Sequence, residues 1–69
     1  MNIKDIILRS FPSESAFARR LGWSRQRLNK ITNLDKSPTV QEINEIAVGL
    51  GRSASEIYLI FLSCLSPNG

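Results

Sequence analysis

The sequence predicts an all-α domain of five short helices. Apolar residues recur at helical spacing in five separate segments, each segment opens on Ser, Thr or Asn, and no stretch alternates as a half-buried strand would. With 69 residues, 42% of them hydrophobic and 22% charged, the chain reads as one domain near the lower size limit for a single apolar core, without a repeat or low-complexity tract.

Asn2 is a good N-cap for a first helix carrying Ile3, Ile6, Ile7 and Leu8, and Pro12 stops its propagation just after Phe11. Ser13 caps a second, whose stripe is Phe17, Ala18 and Leu21 and whose terminator is Gly22. Ser24 caps a third, with Leu28 and Ile31 inward and Arg25, Gln26, Arg27, Asn29 and Lys30 available outward. Residues 33–38 carry loop residues and no apolar period. The spacing of Thr39 and Glu42 predicts a capping box opening a fourth helix, which buries Val40, Ile43, Ile46, Ala47 and Leu50 and ends at Gly51. Ser53 and Glu56 repeat that spacing at the start of a fifth, over about 53–65, and residues 66–69 are expected to fray.

Charge is distributed unevenly. Net charge is only +3, yet Arg19, Arg20, Arg25, Arg27, Lys30 and Lys36 place six of nine basic residues within eighteen positions that hold one acid, Asp35. Beyond them Glu42, Glu45 and Glu56 face only Arg52. One side of the domain therefore suits a polyanion, the alternative being a merely solvated basic surface. A lone cysteine, Cys64, and no histidine leave no intramolecular disulfide and no ordinary metal site, so no metal and no cofactor is expected. Paired carboxylates in a catalytic setting and a glycine-rich phosphate loop are also missing, which argues against an enzyme. The longest dense apolar run, 57–62, is far short of a membrane span, and the N-terminus lacks the order of a signal peptide, so a cytoplasmic location is expected. No small-molecule ligand is indicated.

The segment from Ser13 to Thr32 follows a steric recipe. Two helices joined by a tight turn can cross steeply only with a small side chain at their contact and a residue that accepts a left-handed backbone in the turn, which Ala18 and Gly22 supply. Leu21, Trp23, Leu28 and Ile31 stand where apolar residues must flank that turn. With Phe17-Ala18-Arg19-Arg20-Leu21-Gly22-Trp23-Ser24, then Leu28 and Ile31, and the further landmarks Pro38, Ala47, Leu50-Gly51 and Ser53 to Ile57, nearly the whole chain resembles the lambda-repressor and Cro type of helix-turn-helix domain.

The resemblance implies that the third helix enters the major groove of double-stranded DNA, with Arg25, Gln26, Asn29 and Lys30 facing base edges. Arg can grip guanine and Gln or Asn adenine with two hydrogen bonds each. Phosphate contacts are expected from Ser13, Ser24, Arg27, Asn33, Lys36 and Ser37, with Arg19 and Arg20 more distant and Arg27 ambiguous between phosphate and base. Trp23, beside Gly22, is expected between the helices rather than stacked on a base. Three residues depart from the family pattern: Glu14 replaces a common glutamine, and Thr32 and Leu34 stand where glutamate and glycine are frequent. A carboxylate at position 14 repels phosphate, so Glu14 is expected to pair with Arg25 and orient it.

The fifth helix is more apolar than one face can hide. Ile57, Ile60, Phe61 and Cys64 form one stripe, Tyr58, Leu59, Leu62 and Leu65 a second. The second stripe predicts a homodimer on a pseudo-palindromic operator, as the resembled family often forms, unless the helix folds back to cover both. The resemblance further implies a phage or bacterial transcriptional repressor or regulator, the alternative being an antitoxin-like or anti-repressor-like protein-interaction module on the same fold.

Overall fold

The structure is a computed structural model that describes residues 2–65, with side chains to residue 63. It consists of α1 (Ile3–Ser10), α2 (Glu14–Leu21), α3 (Arg25–Thr32), α4 (Val40–Leu50) and α5 (Ala54–Leu65), with no strand among the described residues. Every helix start uses the expected cap: Asn2, Ser13, Ser24, Thr39 and Ser53 accept from the backbone N–H three residues on, each at 3.1 Å. At α4 both halves of the capping box form, since the Thr39 N–H also donates to Glu42 Oε1 at 2.9 Å. At α5 the Glu56 carboxylate takes the Arg52 guanidinium, and the box stays half made.

Three helix ends share one design. The N–H of the residue in a left-handed conformation bonds back three residues and the following N–H bonds back five, as in Trp23 N–H to the Ala18 carbonyl at 2.9 Å after α2 and Arg52 N–H to the Ala47 carbonyl at 2.9 Å after α4. Gly22 (φ +75°) and Gly51 (φ +69°) supply that conformation without steric cost. After α3 the same bonds form around Leu34, at φ +63°. Its position is the one where the resembled family often has glycine. The loop keeps the glycine's conformation with a side chain that resists it.

The inward stripes meet in one core of Ile3, Ile7, Phe17, Ala18, Trp23, Leu28, Ile31, Ile43, Ile46, Ala47, Ile57 and Phe61. Phe11 closes α1 onto α2 with its ring 4.9 Å from that of Phe17. α4 approaches α2 closely because Gly49 has no side chain: a Cβ there would lie 2.9 Å from Phe17 Cε1 and 3.0 Å from Leu21 Cδ2. α5 then turns back across the bundle, bent 114° from α4. No single described helix is long and apolar enough to cross a membrane.

Two expected core positions face outward. Leu8 is 53% exposed and Val40 76% exposed. Leu8 follows Ile7, which already fills the inward position, and Val40 opens α4 before its first full turn reaches the core at Ile43. On α5 the first stripe packs as expected, with Ile57 and Phe61 buried and Ile60 half-buried. Tyr58, Leu59 and Leu62 are exposed, so α5 does not fold back to cover them. The side chains of Cys64 and Leu65, and residues 66–69, lie outside the described residues.

Candidate nucleic-acid interface

Burial of Leu28 and Ile31 dictates the outward face of α3. Arg25, Gln26 and Lys30 are exposed and Asn29 is half-buried at the edge of the face. Gln26, Asn29, Lys30 and Asn33 border one shallow depression with Asp35, and Ser24, Gln26, Arg27, Lys30 and Lys36 border a second beside it. Most of the residues expected at bases and phosphates thus share one continuous surface, with exposed Ser37 just beyond Lys36.

Ser13 and Ser24 cap their helices through Oγ, each satisfying only the third backbone N–H of its helix. The first two N–H groups, of Glu14 and Ser15 in α2 and of Arg25 and Gln26 in α3, have no intrahelical acceptor. They carry the positive end of each helix, where an anion is favoured.

Arg27, expected at a phosphate, is engaged within the protein. Its Nε and Nη2 donate to Glu42 Oε2 at 3.2 and 3.1 Å, and its guanidinium lies 4.1 Å from the Trp23 ring centroid. Lys36 Nζ reaches the same Glu42 oxygen at 3.4 Å. Trp23 is buried between the helices as expected, and its Nε1 donates to Glu45 Oε1 at 3.3 Å. α3, the loop after it and the start of α4 are therefore joined through one carboxylate, 3% exposed as a residue. Burial pushes the Glu42 carboxyl up, but the Thr39 backbone N–H, the Arg27 and Lys36 hydrogen bonds and the Lys36 charge outweigh it, leaving the group below its ordinary value.

Glu14 does not pair with Arg25. Its Oε1 accepts from Asn29 Nδ2 at 3.1 Å and from Thr32 Oγ1 at 2.7 Å. The start of α2 lies against the last turn of α3, whereas Arg25 sits at the other end of that helix, so the carboxylate meets residues fifteen and eighteen positions on. Thr32, buried, is part of the site through this bond. Thr32 and Glu14 both depart from the family pattern, which marks the two positions in the sequence without pairing them. Glu42 carried a weaker signal: its capping role is legible from Thr39, its two cations are not.

A helix-turn-helix family model matches residues 13–57, from the Ser13 cap to Ile57 in α5. No curated protein and no solved structure matches the chain significantly. The five-helix architecture, the α2-turn-α3 geometry around Ala18 and Gly22, and the extent of that match make this chain a member of the lambda-repressor/Cro-type helix-turn-helix family of DNA-binding regulators.

Proposed function

We propose that the chain binds double-stranded DNA sequence-specifically with α3 in the major groove, as a homodimer on a pseudo-palindromic operator, and acts as a phage or bacterial transcriptional repressor. The observation that carries this is the outward face of α3. Arg25, Gln26 and Lys30 stand exposed there with Asn29 at the edge, next to helix N-termini whose first amides lack partners. Arg25, Gln26, Asn29 and Lys30 read bases, while Ser13, Ser24, Asn33, Lys36 and Ser37 hold phosphates. Arg27, like Lys36, pairs with Glu42 and stays partly exposed, so it ties α3 to α4 and can still reach a phosphate.

The dimer is supported by the apolar side chains of Tyr58, Leu59 and Leu62, exposed together on α5. A dimer on such an operator needs two α3 helices about 34 Å apart, one turn of DNA. Binding to a duplex selected from a random pool, followed against salt, tests the proposal. A homodimer neutralising roughly six phosphates gives a slope of log affinity against log salt near −5. Salt-independent binding or no selected sequence refutes DNA readout, and a monomer at high micromolar concentration with DNA binding intact refutes the dimer.

A further inference from the structure

We infer that Glu14 sets which base Asn29 reads, by holding the Asn29 amide in one orientation with its side-chain carbonyl oxygen free to face the DNA. The inference rests on α3 entering the major groove. A carboxylate accepts hydrogen bonds and donates none. Asn29 can meet Glu14 Oε1 only through Nδ2, as it does at 3.1 Å, because the flipped amide would set its own oxygen against the carboxylate. Thr32 Oγ1 donates to the same oxygen at 2.7 Å, with the Asn29 backbone carbonyl as a longer, alternative acceptor at 3.3 Å, so the carboxylate is held from α3 by two side chains. Among the described residues no Lys or Arg forms an ion pair with Glu14, and no donor bonds Asn29 Oδ1.

A base that engages Asn29 Oδ1 must therefore offer a donor. In the major groove adenine offers N6 and cytosine N4, whereas guanine O6 and N7 and thymine O4 only accept. Nδ2 carries two hydrogens and Glu14 takes one, so the amide keeps an acceptor and a donor, which matches adenine N6 and N7 together. A glutamine at position 14 could present either its oxygen or its nitrogen, and Asn29 would then be free to turn its amine outward and donate to guanine O6 or N7. Glu14 is thus a positioning residue that discriminates between bases without touching one.

The test begins with sequences selected by the wild-type chain from a random duplex pool, and with the base pair that N29A makes indifferent. Affinities for the four duplexes differing at that pair are then compared for wild type, E14Q and E14A, with circular dichroism melts confirming that each variant is folded. Alanine is a good helix former at the first position of α2, so E14A decides should E14Q fail to fold. The expected result is a preference of about tenfold or more for adenine over guanine in the wild type, falling to about threefold or less in both variants, with other pairs unchanged. E14A/N29A should match N29A. A wild-type preference for guanine or thymine at that pair overturns the inference, as does an E14Q or E14A preference equal to wild type, or an N29A variant that leaves every pair unchanged. A wild type that selects no sequence fails earlier and takes groove reading by α3 with it; selectivity that survives E14Q and E14A removes the role of Glu14 alone.

Discussion

Replacing Glu42 by glutamine keeps the shape of the side chain and removes the charge on which Arg27 and Lys36 converge. Glutamine still serves the capping box, since its carbonyl can accept from the Thr39 N–H. Its amine then faces Arg27 Nε and Nη2 and Lys36 Nζ, so four donors meet where one carboxylate oxygen accepted. The Arg27 and Lys36 side chains are 43% and 49% exposed, so their attraction to the carboxylate is worth no more than a surface pair, about 0.2–1 kcal/mol each. The larger loss is the charge-assisted bonding of an acceptor that is itself buried, about 1–3 kcal/mol. A total near 2 kcal/mol lowers the melting temperature by about 8–16 °C for a domain of this size. The folded state holds the Glu42 carboxyl below its ordinary value, so its contribution is complete above the unfolded value and disappears as pH falls through the folded one. Thermal melts of both proteins followed from neutral pH to about pH 3 should show the gap closing below about pH 4. Equal stability at neutral pH, or a gap unchanged by acid, would refute the account of Glu42 as the joint between α3 and α4.

L34G removes a left-handed penalty of about 1–2 kcal/mol and adds about 0.5–1 kcal/mol of backbone entropy, so it should raise the melting temperature by several degrees; a lowered value would mean that the Leu34 side chain packs more than it strains. G49A should lower the denaturant midpoint by about 1 kcal/mol of stability. Overpacking against the buried Phe17 ring outweighs the gain in helix propensity, and a stabilised variant would show that α2 and α4 can part. L59E should leave monomer stability within about 0.5 kcal/mol, yet shift sedimentation to the monomer and weaken binding to a two-half-site duplex without affecting a half-site. Q26A should reduce affinity for the selected duplex by about 1–3 kcal/mol while the salt slope stays the same, as the proposed role of Gln26 at a base edge rather than a phosphate requires.

The fold was legible because its determinants are local. Asn2, Ser13, Ser24, Thr39 and Ser53 each bond an amide three residues away, and Gly22 and Gly51 each end a helix through their own φ, so sequence spacing alone specifies them. Leu34 shows the limit of that rule: the bonds of the chain end after α3 impose the left-handed turn on a residue whose side chain opposes it, and only family comparison marks the position. The outward face of α3 was legible for the same reason, as the complement of Leu28 and Ile31.

The polar partners of that face were not legible, since they depend on how α2 and α4 lie against α3 rather than on spacing along any one helix. Glu14 lies fifteen residues from Asn29, and Glu42 fifteen from Arg27, yet each carboxylate turns a different part of α3 to account. Charge alone suggested Arg25 for Glu14 and a phosphate for Arg27. The packing overturns the first: the acid at the start of α2 takes neutral donors from the last turn of α3. To the second it adds a partner, since the acid at the start of α4 takes the cation from the first turn of α3, whose side chain stays partly exposed. Both acids sit in the first turn of their own helices, where the positive helix end offsets their charge, so a carboxylate can stand beside a surface meant for a polyanion. α3 is thereby held at both ends by groups that leave Arg25, Gln26 and Lys30 free.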